Sequence, residues 1–304
     1  CTWYTRNLST PNSMMLASII IASFVSQVLS LSPTSISREA VLKPFTEGKA
    51  FKVISGLHNF DIDLVKNVAW AAENGGASHV DIACRPDLVR AAKSVCSLPI
   101  CVSSITPSAF VEAVDAGADM VEIGNFDSFY KEGRQFSAAD ILAMTSEVRK
   151  LLPTIPLSVT IPHTMSLSEQ IVLAKDLQKC GADIIQTEGK FSANVAGMGV
   201  QELIEIASPT LAAAYAISRA VTIPVMCASG LTDVTVPMAL AAGARGVGVG
   251  SSIYKLAKAQ QMRMAVEAIS LCMGRSGLPE ASCEPVEVQI GATSSVSQSA
   301  ARVM

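Results

Sequence analysis

Eight short apolar runs, each followed by a stretch of helical period, constrain what this chain can fold into more than any other feature. The runs fall at 51–56, 79–84, 99–104, 120–125, 157–162, 184–189, 224–230 and 246–252. Each has the length of a strand rather than of a helix. The stretches that follow, at 62–73, 86–95, 107–116, 138–151, 167–180, 201–220, 234–242 and 253–273, carry the apolar spacing of amphipathic helices. Regular alternation of this kind means repeated βα units and a parallel sheet. Eight units favour a closed (β/α)8 barrel over an open doubly wound sheet, and no GxGxxG follows the first run, which weakens the dinucleotide-fold alternative.

Local signals agree with this division. Asp61 is placed to cap the first helix, and Ser137 with Asp140 and Ser166 with Glu169 have the spacing of capping boxes. The turns Asn74-Gly75-Gly76, Ala116-Gly117-Ala118, Cys180-Gly181-Ala182 and Ala242-Gly243-Ala244 repeat a helix-ending glycine just before a strand. Residues 38–49 predict one further helix, placed to plug the bottom of the barrel.

The 304 residues accommodate one barrel of about 250 residues with extensions at both ends, the competing division being two domains. Residues 1–45 are expected to be a disordered targeting segment, 46–275 the barrel, and 276–304 a disordered tail rich in Ser, Ala and Val. From 1 to 37 the only charged residue is Arg6, and Ser and Thr are frequent. The apolar run at 16–25 is too short to span a bilayer, so the chain is not expected to be an integral membrane protein. That run favours a secretory signal, whereas the Ser-rich, acid-poor composition favours a plastid transit peptide. Met14 or Met15 is the expected start. A net charge of -3, 5% aromatic residues and no Lys/Arg run exclude a nucleic-acid partner. The eight cysteines form no CxxC pair. Cys84, Cys101 and Cys227 lie in strand patterns and read as small buried hydrophobes of a reducing compartment, with no metal site expected.

Barrel strands alternate between the interior and the helix layer. The apolar neighbours of Lys52, Asp81 and Glu122 belong against the helices, so these three charged residues should point inside. The same frame places Cys101, Thr160, Gln186, Cys227 and Gly248 inside at the matching position. One step nearer the C-terminal ends it places Ile54, Ala83, Ser103, Gly124, Pro162, Glu188, Ser229 and Gly250. A lysine and two carboxylates inside a barrel are either a paired filling of the core or a working group. In the second reading Lys52 is a proton carrier or carbonyl-binding amine, tuned by Asp81 and Glu122.

The last two strands end in small residues, Ala228-Ser229-Gly230 and Gly248-Val249-Gly250-Ser251. Loops after strands 7 and 8 of such barrels are a frequent phosphate site, which makes Ser229, Gly230, Gly250 and Ser251 the candidate anion-binding residues. His58, Asn59, Arg85, Asn125, Asp127, His163 and Glu188 form a polar rim, with His163 and Glu188 as candidate catalytic groups. The glycine-containing segment after Glu188 is a candidate lid.

The segments KVISGLHNFD, HVDIAC, LPICVSS, VEIGNFDSFY, LLPTIPLSVTIPHT, DIIQTEG, SPTLAAAYAIS and IPVMCASGLTDVTVPMALAAGARGVGVGSS together closely resemble the Ycf23 (DUF561) family of cyanobacteria and plastids, over about residues 42–273. The resemblance implies a TIM barrel of the phosphate-binding aldolase type and tips the N-terminal extension toward a plastid. It implies no reaction and no catalytic residues. The family pattern TEGG reads Thr187-Glu188-Gly189-Lys190 here, which puts in doubt any role that needs the last glycine.

The expected function is that of an enzyme on a small phosphorylated metabolite, with lyase, isomerase or epimerase chemistry. A variant holds FMN by its phosphate in the same loops, although nothing marks an isoalloxazine site and no cofactor is evident. The alternative is a non-catalytic barrel that binds a metabolite or a protein partner in the photosynthetic system. Homo-oligomerisation is open.

Overall fold

The computed structural model describes residues 36–130, 132–189 and 199–275. The expected targeting segment, lid and tail therefore lie largely or wholly outside the described residues. Eight parallel strands close into a barrel in sequence order, and the last pairs back onto the first. They are β1 (Ala50–Ile54), β2 (His79–Ala83), β3 (Ile100–Ser104), β4 (Met120–Ile123), β5 (Leu157–Ile161), β6 (Ile184–Thr187), β7 (Val225–Ala228) and β8 (Gly246–Val249). A helix precedes the barrel and others alternate with its strands: α1 (Arg38–Thr46), α2 (Ile62–Asn74), α3 (Pro86–Lys93), α4 (Ala109–Asp115), α5 (Asp127–Tyr130), α6 (Ala138–Leu151), α7 (Leu167–Cys180), α8 (Val200–Ser218), α9 (Val236–Ala241), α10 (Ser251–Tyr254) and α11 (Ala259–Cys272). All eight expected strands are present. Two helices depart from expectation: the four-residue α5 was not foreseen, and the stretch 253–273 divides into α10 and α11.

The caps form for the reasons their residue types dictate. Asp61 accepts from the N–H groups of Asp63 and Leu64, and both Ser137–Asp140 and Ser166–Glu169 make complete capping boxes. Gly117, Gly181 and Gly243 end their helices at φ 109°, 97° and 103°, a region that costs a residue with a Cβ about 1 kcal/mol or more.

The outer faces of the strands pack on the helices through Phe51, Val53, Val80, Val121, Val159, Ile185 and Val247, all buried in one continuous core. A second, smaller core closes the bottom of the barrel. There Val41 and Phe45 of α1 pack against the inward residues Ala50, Cys101, Met120, Ile184 and Met226. The ring of His79 lies 4.9 Å from that of Phe45, and its Nε2 donates to the Val41 carbonyl at 2.9 Å. Arg38 pairs with Asp183, which also holds Arg149 at 2.5 Å. The helix is thus an integral part of the folded unit, and the expected boundary at 45/46 falls inside it. Among the described residues the bottom is thus packed, and the interior opens at the C-terminal ends of the strands.

Two details of the inward assignment are corrected. Met226 packs with the bottom core and Cys227 with the helix layer, where its thiol lies 3.5 Å from Thr210 Oγ1 of α8. Cys227 therefore faces outward, and Met226 and Ala228 take the inward positions on β7. Small residues such as Cys and Ala suit either face, so the alternation carried no direction there. The charged positions also do not lie at one level. Lys52 pairs with His79, Asp81 with Cys101, and Glu122 with Ser103, because strands in a tilted barrel are staggered.

Candidate functional site

The barrel interior above the bottom core is polar, and its charged groups are paired. Lys52, Asp81 and Glu122 are each 1% exposed or less. The Lys52 ammonium donates to Glu122 Oε2 and lies 3.9 Å from Asp81 Oδ2. Asp81 accepts from Ser103 Oγ at 2.7 Å, and Glu122 Oε1 accepts from Gln186 Nε2 at 2.6 Å. Gln186 Nε2 also reaches Thr160 Oγ1 at 3.1 Å. Burial works against the charged form of Lys52, but Glu122 and Asp81 outweigh it and hold the amine above its ordinary value. Burial pushes Asp81 up to about 6, with Lys52 opposing and Glu122 reinforcing. The triad is therefore real as a cluster, and its lysine is a protonated, ion-paired ammonium.

A cavity of about 340 Å³ lies above it, at the C-terminal ends of the strands, a volume suited to a small metabolite. Its floor includes Ile54, Thr160, Gln186 and Gly248. Lys52, Asp81 and Glu122 are not among its lining residues and connect to it through Gln186 and Thr160. Gln186 is 2% exposed, and its Oε1 has no hydrogen-bond partner among the described residues. Asn125 Nδ2, also in the cavity lining, is buried and unpartnered in the same sense. Asn125 stands at φ 60°, a conformation uncommon for a residue with a side chain. The chain reaches it through Gly124, where an added Cβ would lie 2.1 Å from Thr160 Oγ1.

All four candidate anion-binding residues line this cavity. Ser229 and Gly230 are successive left-handed residues at φ 81° and 69°, and a Cβ on Gly230 would stand 2.5 Å from Ile206 Cγ2. Gly250 opens the short α10, where its carbonyl accepts from the N–H groups of Ile253 and Tyr254 and Ser251 and Ser252 stand at the helix start. Two loops of small residues thus converge on the cavity at the ends of β7 and β8, the place where such barrels often bind phosphate.

The rim supplies the remaining polar groups. Glu188 is 5% exposed and lines the cavity. Its Oε1 accepts from the Asp127 N–H at 3.0 Å, and its Oε2 from Tyr130 Oη at 2.9 Å and the His163 N–H at 3.3 Å. His163 Nδ1 lies 3.2 Å from the same oxygen and 3.4 Å from Asp127 Oδ1. Burial, then the Glu188 carboxylate, hold the Tyr130 phenol far above its ordinary value, so it remains a donor. His58 lines the cavity and meets Phe129 edge-on at 5.4 Å. Asn59 donates to Ser55 Oγ at 2.7 Å, and Arg85 pairs with Asp87 on the surface. Asn59 thus orders its own loop, and Arg85, 5.3 Å from the Phe60 ring centroid, joins the loops after β1 and β2. Burial raises the Cys101 and Cys227 thiols above their ordinary range, as expected of inert core cysteines.

The roles of Gln186, Thr160 and Tyr130 are not legible in the sequence: the alternation places the first two inside the barrel but gives them no role, and Tyr130 sits in a helix too short to show a period.

The fold and this cavity define a (β/α)8 barrel with a ligand-sized polar site at the C-terminal face. The chain belongs to the family described as Protein of unknown function (DUF561), whose model matches residues 36–276. It is 45% identical to "Uncharacterized protein ycf23" of Cyanophora paradoxa, over 73% of this chain and 91% of that protein. Its identity to the protein of that name from Cyanidium caldarium is 39%, over 72% and 88%. Among solved structures it is similar to (S)-3-O-geranylgeranylglyceryl phosphate synthase from Thermoplasma acidophilum in complex with sn-glycerol-1-phosphate (TM-score 0.55, 14% identity, 78% of this chain and 98% of that one). It is also similar to 3-hexulose-6-phosphate synthase (TM-score 0.53, 16% identity, 73% and 99%). At these identities the likeness is one of fold. No helix among the described residues is long and apolar enough to cross a membrane.

Proposed function

We propose that this chain is a plastid enzyme acting on a small phosphorylated carbonyl compound, with chemistry of the lyase, isomerase or epimerase type. The observation that carries the reading is the convergence of Ser229-Gly230 and Gly250-Ser251 on one cavity with Glu188 and the unpartnered Gln186 and Asn125 atoms. The two loops take the phosphate. Glu188, oriented by Tyr130 and His163, moves a proton at the carbonyl-bearing end. Lys52, held as an ammonium whose charge Glu122 and Asp81 compensate, fixes Glu122 and through it Gln186, a positioning role rather than that of an imine-forming amine. Two fold neighbours are named for phosphate compounds, which supports the same ligand class. Plastid residence rests on the ycf23 relatives and on the Ser-rich, acid-poor residues 1–37.

One observation favours a non-catalytic metabolite-binding barrel as the second reading: the charged triad lies wholly beneath the cavity floor. The test is thermal stabilisation by inorganic phosphate, expected for the wild type and lost in Ser229→Asp and Ser251→Asp. Borohydride treatment with triose and pentose phosphates should trap no adduct at Lys52, and a trapped adduct would replace the proton-transfer reading with an imine mechanism. Flavin absorbance in the purified protein would instead support the FMN variant.

A further inference from the structure

We propose that Asp127, His163 and Glu188 form a divalent-cation site at the edge of the cavity. The three come from the loops or strand ends after β4, β5 and β6, so the barrel brings together residues that have no motif spacing in sequence. One ligand atom from each lies within 4.8 Å of the others. A cation held at about 2.1 Å by each ligand sets neighbouring ligand atoms about 3.0–3.4 Å apart, by the geometry of an octahedron or tetrahedron. The spacings from His163 Nδ1 to Glu188 Oε2 and to Asp127 Oδ1 are 3.2 and 3.4 Å. Two edges of such a polyhedron are thus already present, the one from Nδ1 to Oε2 bridged here by a hydrogen bond that a cation would replace.

The surroundings fit the role. Ligating carboxylates are themselves held by hydrogen bonds, and Glu188 is held by Tyr130 Oη and by the N–H groups of Asp127 and His163. Asp127 and Glu188 line the cavity, so the open side of the site faces the space a substrate would fill. The same cavity holds an unfilled acceptor on its β8 side, 3.5 Å from a Cβ added at Gly248. Gln186 precedes Glu188 by two residues and shares its face of the strand, and its unpartnered, 2% exposed Oε1 is an acceptor in the same cavity. Two carboxylates and one imidazole select Mn²⁺ or Zn²⁺ over soft metals, with the remaining positions open to water or to a substrate carbonyl.

The site rests on the same cavity as the proposed function and reassigns Glu188 and His163 from proton transfer to cation binding, but it can fail independently of the phosphate loops. Chelator-treated full-length protein is titrated with Mn²⁺ and with Zn²⁺ by calorimetry, with the electron paramagnetic resonance of Mn²⁺ as a second readout. The expected result is one cation per chain, bound at least about tenfold more weakly in His163→Ala and Glu188→Gln and equally well in the surface variant Asp176→Asn. Asp127→Asn, which alters the most exposed ligand, should show the same loss with the circular dichroism of the wild type. Absence of saturable binding, or unchanged binding in His163→Ala, overturns the proposal. Phosphate stabilisation is measured on the same samples: its survival without cation binding overturns this site alone, and its loss alone overturns the phosphate reading.

Discussion

At the residue scale the interior triad has the strongest energetic consequence. Lys52 is fully buried between two carboxylates, and removing one partner leaves buried charge uncompensated, typically at a cost of 3–5 kcal/mol. Lys52→Met should lower unfolding stability by about that amount in urea titrations. Adding Asp81→Asn and Glu122→Gln should recover most of the loss, because neutral groups need no counter-charge. His79 gives a pH signature. Burial holds it near 3, against an ordinary 6.5. Below 6.5 the unfolded chain takes up a proton that the folded chain refuses. The stability His79 contributes is therefore fully present above 6.5 and is lost as pH falls toward 3, at up to about 1.4 kcal/mol per pH unit. Melting temperatures from pH 7 to pH 4 should fall less steeply in His79→Gln than in the wild type, and parallel profiles would contradict this assignment.

At the element scale, the plug helix α1 and the capped helices carry testable weight. Phe45 is fully buried against the barrel bottom, and Phe45→Ala should cost about 3–5 kcal/mol, read as a lowered urea midpoint. Ser166→Ala removes one half of a complete capping box and should cost about 1 kcal/mol. These elements were legible because their causes are local: Ser and Asp at helix starts, glycine at helix ends, alternating apolar periods between. The misses have causes that are not local. The break between α10 and α11 falls at Lys255-Leu256-Ala257-Lys258, which contains no Gly or Pro, so the chain turns there for tertiary reasons. The direction of β7 was lost because Cys227 and Ala228 are small enough for either face.

At the scale of the whole molecule, eight countable βα units were enough to foresee closure, and closure was enough to foresee the triad and the two loops after β7 and β8. The stagger between strands was not legible, since register depends on how each strand pairs across the barrel. It sets Lys52 below the cavity floor and leaves Gln186 as the link between the two, a residue that the apolar run IIQT does not mark. The grouping of Asp127, His163 and Glu188 was equally hidden, because residues on three separate loops meet only once the barrel closes. The account stands or falls on an anion bound between the loops after β7 and β8. Crystals grown in phosphate and measured by diffraction test it most directly. The account predicts tetrahedral density within hydrogen-bond distance of the Ser229-Gly230 and Gly250-Ser251 backbone N–H groups, absent in Ser251→Asp. Clear, well-ordered loops with no such density at millimolar phosphate would contradict it.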